Sequence, residues 1–163
     1  MRIIKLGIIS IITLFLLATA ISLLFPSKVV VSRAVDIKSF KQPVYSLVSD
    51  LRKWNLWVEG MSNPAVEVYS AGAAKLGNTK VTVTELTDST VVSSWHTGNS
   101  SDQISTIRLI EDSSHKIIVV QWQFVQQVKW YPWEKFGSMM NDKIIGTMIE
   151  KNLYKLKQVA EQP

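Results

Sequence analysis

Apolar residues recur along this chain in three rhythms, and each rhythm predicts a different element. From Leu6 to Phe25 the chain runs 20 residues without a charge (LGIISIITLFLLATAISLLF). As a helix this run spans ~30 Å, the hydrocarbon thickness of a bilayer. A period of two then dominates. Residues 28–36 (KVVVSRAVD), 66–69, 79–86, 90–97, 103–110 and 116–127 read as strands. Small or polar turns separate them at 59–64 (Gly60, Asn63, Pro64), 70–78 (Gly72, Gly77), 98–102 and 111–115. Helical spacing appears twice. Val44, Leu47, Val48 and Leu51 follow Ser39 as N-cap, with Pro43 tolerated in the first turn. The closing helix, 139–160, sets Ile145, Met148, Ile149, Leu153, Leu156 and Ala160 against Lys143, Glu150, Lys151, Lys155 and Lys157. Residues 52–58 (RKWNLWV) form a short second helix or tight turn carrying Trp54 and Trp57.

The predicted order is a membrane helix followed by β-αα-β-β-β-β-β-α. No internal repeat, low-complexity tract or long linker divides it. Strands segregated from helices imply α+β, with helices on one face of an antiparallel sheet. Two parts result: 1–26, a membrane anchor or signal peptide, and 27–163, one domain.

Three segments resemble a known family. Ser49-Asp50-Leu51-Arg52-Lys53-Trp54-Asn55-Leu56-Trp57 is similar to a helix-end motif of the START-like (SRPBCC) superfamily, in its polyketide cyclase/dehydrase and lipid-transport branch. Residues 79–85 (TKVTVTE) resemble the strand after its glycine-containing turn. Trp133-Glu134-Lys135-Phe136, Asp142-Lys143, Glu150-Lys151-Asn152-Leu153 and Leu156-Lys157 resemble its closing helix. The likeness covers Ser27 to about Val159, and many members of that branch carry an amino-terminal membrane helix. It implies a helix-grip fold: a curved antiparallel sheet wrapped on a long carboxy-terminal helix, with room between them for an apolar ligand. One departure is the short, alanine-rich segment 63–77, which implies a reduced second strand and a cavity end that is more open or partly filled.

The apolar run admits two readings. Ala18-Thr19-Ala20 has the small-x-small form of a signal cleavage site. The run nevertheless continues through Ile21, Leu23, Leu24 and Phe25, which favours a retained anchor. A 20-residue helix apolar all round fits poorly as the core of so small a domain. Arg2 and Lys5 favour a short inside tail, while Lys28, Arg33, Lys38 and Lys41 pull the other way. The expectation is a single-pass protein of the inner (cytoplasmic) membrane, with its domain on the extracytoplasmic side.

Composition narrows the chemistry. The 163 residues include no cysteine and only two histidines. That excludes a disulfide framework, a thiolate zinc site, a cysteine nucleophile and a histidine-rich metal site, and no cofactor is expected. Nearly half the residues (47%) are apolar, so disorder is not indicated. Without residues 1–26 the net charge falls to +3. The basic residues are scattered, so nucleic acid is not an expected partner. A mild positive excess suits an anionic membrane surface.

Chemical motifs are sparse. His96 has no evident partner for base catalysis, and His115 lies in a polar turn. Glu111 and Asp112 are adjacent, so on a strand they point apart. No nucleophile elbow or phosphate loop is present. Asn99-Ser100-Ser101 matches a glycosylation acceptor, relevant only in a compartment that glycosylates. Glu85 and Arg108 could pair to polarise a ligand carbonyl or form a rim salt bridge.

The aromatic and methionine set is richer. A pocket is expected from Trp57, Val83, Trp95, Leu109, Val120, Trp122, Phe124, Phe136, Met140, Ile145, Met148 and Ile149, with Met139 nearby. The plainer alternative is that these residues fill the core. Trp130-Tyr131-Pro132-Trp133 suits either a membrane interface or the lid end of the cavity. The functional expectation is a membrane-anchored module binding a lipid or other hydrophobic small molecule. The alternatives are a cyclase/dehydratase-like enzyme and a structural envelope domain with a filled core. Protein partners are not indicated.

Overall fold

The computed structural model describes residues 2–98, 102–112 and 116–162, without the side chains of Met139 and Asn141. The expectations for His115 and for Asn99, Ser100 and Ser101 lie outside the described residues. The elements are α1 (Arg2–Ser22), β1 (Lys28–Ile37), α2 (Lys41–Val48), a 3₁₀ helix (Leu51–Leu56), β2 (Val66–Ser70), β3 (Ala73–Leu76), β4 (Thr79–Leu86), β5 (Thr90–Thr97), β6 (Gln103–Asp112), β7 (Ile117–Gln127) and α3 (Pro132–Ala160). The class is α+β, a helix-grip fold, as expected.

One antiparallel sheet contains all seven strands, in the order β1-β7-β6-β5-β4-β3-β2. β2 to β7 lie side by side in chain order, a meander. β1 joins from the other end of the chain and pairs with β7 from Lys28↔Gln127 to Ile37↔Ile118. On β7, Ile118, Val120, Trp122 and Phe124 are buried while Gln121 and Gln123 alternate with them, the two-residue period of a one-sided strand. Register carries this face across the sheet, through Trp122↔Ile107 and Val120↔Leu109.

Three expectations are corrected. The segment read as one turn, 70–78, contains β3. Ala74 pairs with Val81 on one side and Val68 on the other, and is buried. Alanine and glycine have weak strand propensity, and pairing on both edges overrides it. Ser39 is not the N-cap of α2; Phe40 holds that place, with no side-chain capping bond. Finally, α3 starts at Pro132, seven residues before the expected Met139, with proline in the first turn where its missing N–H costs nothing.

α3 has two halves. Ile149, Leu153 and Leu156 are buried in the main core, and Ile145, Met148 and Ala160 pack against it. In the first turns Lys135 and Ser138 are buried instead, and this half meets the end of α1. At the junction Arg33 of β1 crosses under the helix, where a Cβ on Gly146 would stand 2.5 Å from its Nη2. Arg33 Nε donates to Glu150 Oε1 at 2.6 Å, and Nη2 reaches Asp142 Oδ1 at 3.4 Å. The Glu150 hydrogen bond is the main reason the guanidinium pKa is raised. α1 is long and apolar enough to cross a membrane, and its apolar stretch is not buried against the domain.

The 3₁₀ helix positions two tryptophans and is itself capped by Asp50, whose carboxylate accepts from Arg52 N and from the Arg52 guanidinium. The hydrogen bond from the Arg52 side chain holds the Asp50 carboxyl below its ordinary value of 3.8. A lowered folded-state pKa means that this stabilisation is complete above the unfolded value and is lost as pH falls through the folded one. Asp50→Ala is therefore expected to cost about 1 kcal/mol at neutral pH, the usual loss of a cap. The gap to wild type should narrow in acid, as urea unfolding across pH will show; a gap constant with pH contradicts the ion-pair contribution.

Candidate functional site

The face of the sheet turned toward α3 is built around aromatic rings. β7 supplies Trp122 and Phe124, β5 supplies Trp95, and the 3₁₀ helix with its cap supplies Trp54 and Trp57. Trp57 lies 5.4 Å from both Trp54 and Trp122, centroid to centroid. Trp54 lies 6.1 Å from Trp95 and from Trp122. Phe124 is 5.3 Å from Trp95 and 5.5 Å from Trp122. These are edge-to-face and tilted contacts within the favourable range for aromatic pairs.

Each indole N–H has a partner. Trp54 Nε1 donates to Val48 O at 3.0 Å, and Trp57 Nε1 to Leu47 O at 3.1 Å, so both rings are tied to the end of α2. Trp122 Nε1 donates to Ser105 Oγ at 2.8 Å and Trp95 Nε1 to Ser93 Oγ at 3.1 Å. Ser93 and Ser105 are cross-strand partners, which sets two buried hydroxyls side by side beneath two indoles. A buried indole N–H without such a partner would carry a desolvation penalty.

Asn152 is buried on α3 beside Leu153, which belongs to the same core as the rings. Its Oδ1 accepts from Glu59 N at 2.8 Å, and its Nδ2 is buried without a partner. Most buried polar atoms are paired, so an orphan donor in an apolar surround needs a physical account.

Of the expected pocket residues, the structure brings together Trp57, Trp95, Trp122 and Phe124 by ring contact. It places Leu109, Val120 and Ile149 in the same core, and packs Val83, Ile145 and Met148 against it. Phe136 and Met140 stand elsewhere, exposed on the opposite side of α3, because the helix reverses its apolar side near Gly146. Sequence reasoning did not assign Trp54, Ser93, Ser105 or Asn152 to the site. A serine on the apolar parity of a strand, bonding a tryptophan on the next strand as Ser105 does or two residues along its own as Ser93 does, carries no local signal. The adjacent spacing of Trp54 and Trp57 was visible only as a motif.

The polar candidates fall outside the wall. His96 Nδ1 lies 2.5 Å from Asp102 Oδ1, a partner the sequence did not name, and both are exposed. Ser94 Oγ reaches Asp102 rather than His96, at 3.5 Å. A nucleophile must bond the histidine for triad chemistry, so this order is wrong for it. A bulge between Val83 and Glu85 pairs Glu85 with Val92 and leaves it exposed, against the parity it shares with Val83. Arg108 is exposed too, and no ion pair joins the two. Among the described residues, no three His, Asp or Glu side chains gather as metal ligands. A groove of about 300 Å³ lies at one end of the sheet, lined by Lys38, Ser39, Phe40, Lys116 and Ile117, with Glu111 and Asp112 in the adjoining hollow.

Solved structures share this architecture. A protein from Nitrosospira multiformis superposes with a TM-score of 0.64 at 9% identity, over 81% of this chain and 96% of that one. A START superfamily protein from Mycobacterium smegmatis gives 0.62 at 16% identity, over 82% and 97%. The di-domain ARO/CYC StfQ from the steffimycin biosynthetic pathway gives 0.64 at 10% identity, with 82% of this chain matching 51% of that one. The fold is therefore START-like, of the kind also found in the ARO/CYC di-domain protein. No protein-family model matches the sequence, and no curated protein does.

Proposed function

We propose that this chain is a membrane-tethered START-like module that binds a lipid or other hydrophobic small molecule without transforming it. Residues 1–26 are the tether, retained in the inner membrane, and residues 27–163 are the binding domain on its extracytoplasmic side. The observation that carries the reading is an apolar aromatic wall sharing one core with α3, whose Asn152 keeps a buried donor, Nδ2, with no partner among the described residues. Apolar lining with a few placed polar atoms is what a small-molecule site needs. The wall is already shielded from water, so an acyl chain taken up against it gains ~25 cal/mol per Å² of its own apolar surface removed from water. The amide donor then meets a ligand oxygen. A cyclase-like reaction would need an acid or base on this wall. Among the described residues, the buried polar side chains there are Ser93, Ser105 and Asn152, which supports binding over chemistry. Likeness of fold to ARO/CYC domains does not carry their activity across.

A second reading, a structural envelope domain with a filled core, is favoured by the ring contacts themselves. Centroids 5.3–6.1 Å apart leave no gap between neighbours, so a ligand must displace a ring. Trp95, only partly buried, is the ring at the margin.

Titration of the full-length protein with a fluorescent fatty-acyl probe separates the two. Binding predicts saturable quenching of tryptophan emission, and Met148→Trp should abolish the rise in the probe's own emission with circular dichroism unchanged. Equal, non-saturable responses in both proteins would leave the filled-core reading in the lead.

A further inference from the structure

Along the amino-terminal half of α3 the usual packing is inverted. Trp133, Phe136, Met140 and Ile144 are 62%, 40%, 56% and 63% exposed. At ~100° per residue they fall within an arc of about 80° on one side of the helix. Lys135, Ser138, Ile145 and Ile149, on the other side, are the residues that pack inward. One turn past Ile144 the outward face becomes polar, with Thr147 and Lys151. The apolar stripe therefore occupies only the part of α3 that lies next to α1.

That neighbourhood is fixed by specific bonds. Lys135 Nζ, almost completely buried, donates to Phe25 O at 2.9 Å and to Ser27 Oγ at 2.8 Å. The Phe25 and Phe136 rings meet edge-on at 5.7 Å. Phe25 ends the apolar run that begins at Leu6, so the stripe starts where that run stops. Leu23 and Leu24, also exposed, continue the apolar surface from α1 to it. Trp130, Tyr131 and Trp133 stack in sequence at 4.7 and 5.0 Å, giving a rigid amphipathic group beside the same corner. Lys28, Lys129 and Lys143 are exposed around it.

We propose that this face is a membrane-surface site: the first half of α3 lies in the interfacial layer of the bilayer that α1 crosses, and holds the domain in one orientation on the lipid. The proposal rests on the tether reading above. Continuity with α1 identifies the occupant as lipid. A monomeric soluble surface rarely carries so contiguous an apolar patch, tryptophan and tyrosine favour the headgroup level, and flanking lysines complement anionic lipids. A helix apolar on one side, lying in the membrane plane, binds in this way. The Lys135 bonds make the arrangement a clamp: span and interfacial helix cannot separate without breaking them.

The chain has no cysteine, so single cysteines can be placed and spin-labelled without background. The full-length protein is reconstituted in vesicles of phosphatidylcholine and phosphatidylglycerol carrying Trp133→Cys, Met140→Cys or Ile144→Cys. Lys151→Cys and Tyr154→Cys, farther along the same side, serve as aqueous references, and Leu14→Cys as the reference within the span. Collisional relaxation by oxygen and by a water-soluble nickel complex is then measured. The three stripe labels should give an oxygen-to-nickel accessibility ratio several-fold above those at 151 and 154, and below that at 14. Stripe labels as exposed to nickel as those at 151 and 154, with Leu14→Cys in lipid, overturn the surface site and leave the tether intact. Labels shielded from both reagents overturn it in favour of a protein partner or a second copy. A Leu14→Cys label in water overturns tether and surface together. Ile144→Cys removes no ring, so a folding defect at Trp133 cannot decide the result.

Discussion

Replacing Trp122 by alanine is expected to cost about 3–5 kcal/mol, a large part of the 5–15 kcal/mol that holds a domain of this kind together. Trp122 is completely buried and touches Trp54, Trp57 and Phe124, so its loss leaves a void bordered by three rings. It also strips Ser105 Oγ of its indole donor. Trp122→Phe should be much milder, about 1–2 kcal/mol, since a ring remains and chiefly the hydrogen bond is lost. Urea unfolding followed by near-ultraviolet circular dichroism provides the comparison. Equal costs for the two variants would mean that the hydrogen bond, not ring packing, organises the wall.

Two arginines in α1 should have the largest cellular effect. At the centre of a span each costs roughly 2.5–3.5 kcal/mol on an insertion scale, so Ile11→Arg with Leu14→Arg should abolish membrane integration. Wild-type protein is expected in the membrane fraction at full length, its domain digested when protease is added to intact spheroplasts. The double variant should be soluble and protected. A wild-type domain that is shortened and released shows that the segment is a cleaved signal. A full-length, protease-protected one reverses the orientation proposed.

The fold was legible wherever one face of an element meets water and the other does not. β7 is the clearest case, its glutamines alternating with the residues that form the wall. Legibility fails where neighbours, not local pattern, decide. Ala73–Leu76 has a turn-like composition and becomes a strand because β2 and β4 both hydrogen-bond to it. The start of α3 was missed because a lysine and a serine face inward there while a tryptophan, a phenylalanine, a methionine and an isoleucine face out. The clustering of rings was legible but its polar fittings were not: the Ser93–Ser105 pair and the Asn152 bond to Glu59 N depend on register and on contacts between distant segments. For Glu85 alternation left two outcomes, an exposed strand end or a buried polar group, and the bulge in β4 goes with the first.

The pairing of the first strand with the last sets the order of events in synthesis. Val31 meets Phe124 across about ninety residues of chain, a long loop to close. The β2–β7 meander can assemble as it emerges, hairpin by hairpin, yet β1 stays unpaired until β7 is made and Arg33 waits longer still for Glu150. Completion therefore belongs to the finished polypeptide, after its first helix has left the ribosome. In the interval β1 is an unprotected edge, the stage at which a nascent copy is most exposed to mispairing or a holding chaperone.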